Sequence, residues 1–176
     1  MKLNVLRADP AGNITLFVLD PVEKSRRADV AAQLMAVPEY QAEQVGFVCT
    51  PQEGGDGRME MMGGEFCGNA TRAFGLLTAK KLGAPAQVHI ETSGCDHIVT
   101  VDTDLAAGTS RAEMPLPQWL RSVQFGEHQG TLVHLGGIAH LVLENVEPSQ
   151  AVFDQAEPLF QDIPGLDAYG VIFLDT

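Results

Sequence analysis

An α+β fold, dominated by short strands and built about one buried helix, is what this sequence predicts, and three observations carry it. Apolar and polar residues alternate over short stretches separated by clusters of Gly, Pro, Asn and Asp, the pattern of half-buried strands joined by turns. One helical stretch, residues 69–82, is uncharged between Arg72 and Lys80, so it has too little polar surface to lie outside. Pro115-Leu116-Pro117 then interrupts strand pairing after a set of elements that is already complete, which divides the chain into lobes at 1–116 and 117–176.

Composition sets the class. In 176 residues, 45% hydrophobic and 19% charged content supports a packed core and argues against disorder. A net charge of −12 without any Lys/Arg cluster repels phosphate backbones, so nucleic acid is excluded as a main partner. No apolar run reaches the length of a membrane span, and Met1-Lys2-Leu3-Asn4-Val5 reads as a strand rather than a signal peptide, so a cytoplasmic protein without membrane contact is expected. Cys49, Cys67 and Cys95 show no Cys-x-x-Cys spacing and are expected as free thiols. Cys95-Asp96-His97 has no second pair of ligands at suitable spacing, so no metal is expected.

In chain order, residues 2–7 and 14–19 form a hairpin around the turn Asp9-Pro10-Ala11-Gly12-Asn13. Residues 22–35 place charges early and Val30, Ala31, Leu34 and Met35 late, a helix with one buried face. A strand at 46–50, a Gly-rich tip at 52–57 and a strand at 58–62 lead into the central helix, whose end is marked by Lys80, Lys81 and Gly83. Strands at 87–92, 97–102 and 110–114 form a meander around that helix. Beyond the prolines come strands at 118–125, 131–135 and 138–144, a helix at about 149–160 and a strand at 170–174, a weak repeat of the first lobe's order.

The chemistry concentrates in Met61-Met62-Gly63-Gly64-Glu65-Phe66-Cys67-Gly68-Asn69-Ala70-Thr71-Arg72. Turn glycines bring Cys67 to a helix start, where unpaired N–H groups and the helix dipole favour a thiolate and hold a carboxylate. From residue types alone, a small buried apolar cysteine fits the same position. The stretch resembles the first active-site segment of the diaminopimelate epimerase superfamily, and is closer to its amino-acid racemases, such as histidine racemases, than to the diaminopimelate enzyme. The resemblance implies a curled antiparallel sheet or barrel around the helix, and racemisation or epimerisation at an amino-acid α-carbon without pyridoxal phosphate or any other cofactor. It also implies two cysteines on opposite faces of that carbon, with Cys67 as the first. The N–H groups of Gly68, Asn69 and Ala70 would hold the substrate carboxylate, and Asn13, at a family Gly-Asn pair, would touch the substrate.

Departures from the family pattern point to another substrate and to an unfinished second lobe. Ile14-Thr15 follow Asn13 where the family has Asp-Phe, and Cys49 stands where glutamine is frequent. The approach Met61-Met62-Gly63-Gly64 is less polar than in the diaminopimelate enzyme, and Gly137-Ile138-Ala139-His140 replaces Gly-Asn-Pro-His, so a single-headed amino acid is expected. No second cysteine motif precedes Thr176. The second lobe is therefore read as incomplete, with a missing C-terminal half or a homo-oligomer to cover its edges. A carboxylate-binding protein without turnover, and an isomerase of the phenazine-biosynthesis-like fold, are the alternatives.

Overall fold

Turn chemistry fixes the first strand pair. Asp9 Oδ1 accepts from Gly12 N at 2.8 Å, and Gly12 takes the left-handed φ of 89° that its missing Cβ permits. The structure is a computed structural model describing residues 2–166 and 168–176. It contains two compact units, Met1–Met114 and Pro115–Thr176.

The first unit is a seven-stranded sheet in the order β1 (Val5–Ala8), β2 (Thr15–Val18), β3 (Gln44–Cys49), β4 (Gly57–Met61), β5 (Gln87–Thr92), β6 (Val99–Asp104) and β7 (Thr109–Ala112). It curls as a half-barrel about the central helix α2 (Gly68–Lys81), which packs against β4 to β7. The pairing is mixed where an antiparallel sheet was expected: β2–β3 and β4–β5 are parallel. The cause is connection length. Helix α1 (Arg27–Met35) and α2 each carry the chain back across the sheet before the next strand, and a return of that length delivers a parallel neighbour, whereas tight turns deliver antiparallel ones.

The two helices cover opposite faces. Phe17, Met59, Met61, Val88, Ile90, Val99 and Val101 pack against Ala70, Phe74 and Ala79 of α2. Leu16, Val18, Val45 and Phe47 pack against Val30 and Ala31 of α1. Strand period two separates the sets, and β2, buried at all four positions, belongs to both. A Cβ on Gly75 would lie 2.5 Å from Val101 Cγ1, so this glycine sets how closely α2 approaches β6. Each fully buried aliphatic or aromatic side chain contributes roughly 1.5–3 kcal/mol, whereas an exposed ion pair such as Arg111–Asp102 is screened by water, so the core holds this unit.

In the second unit a four-stranded sheet runs β11 (Ala168–Leu174), β10 (Ile138–Glu144), β9 (His128–His134), β8 (Trp119–Phe125). The helix expected over 149–160 is split into α3 (Gln150–Ala156) and α4 (Pro158–Gln161), because Pro158 lacks the N–H a continuous helix needs. Both pack with Ala139, Leu141 and Leu143 on one face, and β10–β11 is parallel across them, as β2–β3 is across α1. On the sheet's other residues Leu120, Ile172 and Leu174 are exposed. Among the described residues no helix is long and apolar enough to cross a membrane.

Candidate active site

Cys67 sits at the N-cap of α2 with extended backbone, φ −130° and ψ 108°. Its carbonyl accepts from Thr71 N and Thr71 Oγ1, both at 2.8 Å, which locks the first helical turn onto the cysteine. Sγ accepts from Ala70 N at 3.4 Å. Thus Ala70, expected to hold a carboxylate, spends its N–H on the sulfur. Among the described residues the N–H groups of Gly68 and Asn69 have no acceptor, as befits the first positions of a helix.

The structure brings Asn13 to this point from the β1–β2 turn. Its Oδ1 lies 4.0 Å from Cys67 Sγ and accepts from Asn69 Nδ2 at 3.3 Å and Gln44 Nε2 at 2.7 Å. Asn13 Nδ2 donates to Glu43 Oε2 at 2.8 Å, so both ends of the amide are held. The sulfur therefore faces one donor and one acceptor. Ala70 N–H can donate to S⁻, and Asn13 Oδ1 can accept from S–H, so each form of the sulfur has a polar partner.

Two features of the site were not apparent from the sequence. Gln44, buried at the start of β3 and also donating to Thr15 Oγ1 at 2.8 Å, orients Asn13; an amide opening an otherwise apolar strand was the available signal. Ser93 and Gly94, which follow β5, brace the Cys67 loop. Ser93 Oγ accepts from Met61 N and donates to Glu65 O, both at 2.8 Å. Gly94, at φ 71°, packs so closely that a Cβ there would lie 2.1 Å from Phe66 N.

Met61, Met62, Gly63 and Gly64, the less polar approach read from the sequence, all border one cavity, described below. Met61 is buried in the α2 core, and Met62 packs with the α1 cluster, because alternate residues of a strand point to opposite faces. Cys49 lies with Phe47 on the α1 side, where Arg27 Nη2 donates to its sulfur at 3.3 Å, and it is not brought to Cys67. Arg27 also binds Glu60, to which Arg58 Nη2 donates at 2.7 Å. Burial alone would raise the Glu60 carboxyl, but Arg58 and Arg27 hold it below its ordinary value, which suits a structural clamp and not a proton donor. Glu91 shows the same balance: burial would raise it, and the N–H groups of Gln52, Glu53 and Gly55 with Arg58 lower it. These groups line a cavity of about 550 Å³ beside α1 that also includes Cys95 and His97, and Cys67 does not line it. In the second unit His140 lies on β10 near Gly170, and burial pushes its imidazole toward the neutral form.

Comparison with known proteins places this arrangement. Residues 2–175 match the family described as histidine racemase CntK N-terminal domain. A histidine racemase of Fusobacterium nucleatum is 30% identical over 186 residues, spanning 99% of this chain and 68% of that protein. A histidine racemase of Staphylococcus aureus is 38% identical over 94 residues, 52% of this chain and 34% of its own length. By fold, the chain is similar to a predicted epimerase from Pseudomonas aeruginosa, with TM-score 0.57, 13% identity, and 98% of this chain and 68% of that chain covered. It also resembles a phenazine biosynthesis PhzC/PhzF protein from Clostridium difficile, with TM-score 0.51, 14% identity, and coverage of 93% and 62%. The fold class expected from the sequence is thus shared with epimerases and phenazine-biosynthesis proteins, and the chain belongs to the histidine racemase family, isomerases acting on an amino acid, over their N-terminal domain.

Proposed function

We propose that this chain supplies one side of a racemase site for a single-headed amino acid, histidine foremost, in which the Cys67 sulfur moves the α-proton without pyridoxal phosphate. The observation that carries the reading is the paired environment of Sγ, with Ala70 N–H at 3.4 Å and Asn13 Oδ1 at 4.0 Å. The substrate carboxylate docks on the N–H groups of Gly68 and Asn69, where the dipole of α2 adds to them. As the thiolate takes the α-proton, forming S–H, the electron pair left on carbon delocalises onto that carboxylate, and the same donors stabilise the growing charge. Asn13 then accepts from the new S–H. Return of a proton to the opposite face requires a second acid, and neither Cys49 nor Cys95 has a helix-start setting like that of Cys67.

The preference for histidine over diaminopimelate rests on the names of the relatives and on Ile138 in place of the asparagine of the diaminopimelate enzyme. The test is proton exchange in heavy water. Histidine incubated with this chain should gain α-deuterium faster than the uncatalysed rate, Cys67→Ala should abolish the gain, and diaminopimelate should exchange more slowly. Exchange that survives Cys67→Ala, or that favours diaminopimelate, overturns the assignment.

A further inference from the structure

We propose that the loop between β5 and β6 is a binding site for a borderline-soft divalent transition metal, of which zinc is the type, ligated by Cys95 Sγ, Asp96 and His97 Nδ1. The proposal stands apart from the racemase reading, since none of these groups contacts Cys67.

The donors are already gathered. Sγ of Cys95 lies 3.5 Å from His97 Nδ1, and His97 Nδ1 lies 3.0 Å from Asp96 Oδ1. All three ligand atoms fall within 4.8 Å of one another. In a tetrahedral zinc site with bonds of about 2.3 Å to sulfur and about 2.05 Å to nitrogen or oxygen, the S···N edge is about 3.5 Å and the N···O edge about 3.3 Å. The observed separations match the first edge and approach the second, and because Sγ also lies 3.7 Å from His97 Nε2 the exposed imidazole must turn to aim Nδ1 at the ion. A thiolate, an imidazole and a carboxylate together suit zinc or cobalt(II) and suit magnesium or calcium poorly.

The surroundings supply what the sequence spacing lacked. Glu113, just beyond β7, brings its Oε1 to 3.9 Å from His97 Nε2, while its Oε2 accepts from Thr100 N at 3.3 Å. With Nδ1 on the metal, the ring proton sits on Nε2 and faces that carboxylate, the outer-shell arrangement that fixes a ligating histidine. Cys95 is partly buried against the α2 core, and Gly94 before it is wedged on the Phe66 backbone, so the sulfur is held while His97 and Asp96 stay exposed for entry. The other two cysteines lack this setting: Cys49 faces the Arg27 cation, and Cys67 an amide N–H. Because Cys95 and His97 also line the cavity beside α1, a fourth position is available to water or a small anion.

Cobalt(II) titration of the purified chain near neutral pH tests this. A sulfur-to-cobalt charge-transfer band should saturate at one equivalent, and zinc should displace it. Cys95→Ser should remove the band, His97→Ala should weaken binding at least tenfold, and Glu113→Gln should weaken it about tenfold as an outer-shell loss. Cys49→Ser and Cys67→Ser should leave the band in place. Cys67 and Cys95 border the α2 core, so only conservative serine changes are made there, and circular dichroism verifies that each of the five variants is folded. A band that survives Cys95→Ser, a band lost in Cys67→Ser, or no band with cobalt in millimolar excess overturns the proposal.

Discussion

Replacing Gly94 by alanine isolates the brace under the Cys67 loop. The residue has φ 71°, and a Cβ built on it falls 2.1 Å from Phe66 N, 2.6 Å from Glu65 C and 2.9 Å from Phe66 Cα. The left-handed conformation costs an L-residue about 1–2 kcal/mol. All three neighbours are backbone atoms, which no rotamer change can remove, so overpacking adds about 1–3 kcal/mol, for a total of about 2–5 kcal/mol. Gly108→Ala is the control: its φ is 68°, and nothing lies within 4 Å of its Cβ, so it bears only the conformational part. Urea unfolding followed by far-UV circular dichroism should therefore show Gly94→Ala less stable than Gly108→Ala by about 1–3 kcal/mol. The rate of Cys67 alkylation should change in the first variant and not in the second, because only Gly94 presses on the segment that ends in Cys67. Equal destabilisation by the two substitutions, with unchanged alkylation, would refute the brace.

Three further outcomes are expected. Iodoacetamide near neutral pH should modify Cys67 before Cys49 and Cys95, because its sulfur stands at the start of α2 and accepts from Ala70 N; faster labelling of either other thiol removes the basis for its assignment. Asn13→Ala leaves Asn69 Nδ2 without its acceptor and Gln44 Nε2 with only Thr15, at a cost of about 1–2 kcal/mol, and it should slow α-proton exchange at least tenfold, whereas an unchanged exchange rate would show that Asn13 has no part in the site. Glu60 has a folded pKa below its ordinary 4.5, so its pairing with Arg58 and Arg27 stabilises fully above 4.5, and the contribution is lost as pH falls from there through the lower folded value. Wild type should therefore lose more urea resistance than Glu60→Gln between about pH 7 and about pH 3, and parallel curves for the two proteins would contradict the clamp.

Local signals revealed the elements whose causes are local. The near-uncharged run after Asn69 identified α2, and Asp9 with Gly12 identified the first turn. Pairing direction depends on where a helix returns the chain, a long-range matter that period-two alternation does not encode, so the parallel pairs β2–β3 and β4–β5 depart from the antiparallel sheet that the resemblance implies. The site divides in the same way. Cys67 and its helix start were visible as residue types at a spacing, and Asn13 entered through a family resemblance that the fold turns into a contact. Gln44 and the Ser93-Gly94 brace are separated from Cys67 in sequence and joined to it only by tertiary contacts, so no spacing rule reaches them. Met61 and Met62, adjacent in sequence, pack into different cores, because successive strand residues face opposite ways.

Strand β2 couples the two faces of the first unit. It is hydrogen-bonded to β1 on one edge and β3 on the other, while Phe17 belongs to the α2 core and Leu16 and Val18 to the α1 core. Detaching either helix exposes one side of a strand that the other helix still needs, so the two cores open together rather than in turn. The amides of Leu16, Phe17 and Val18 consequently exchange with solvent only through global unfolding, and the turn that carries Asn13 inherits that rigidity from the strand immediately after it.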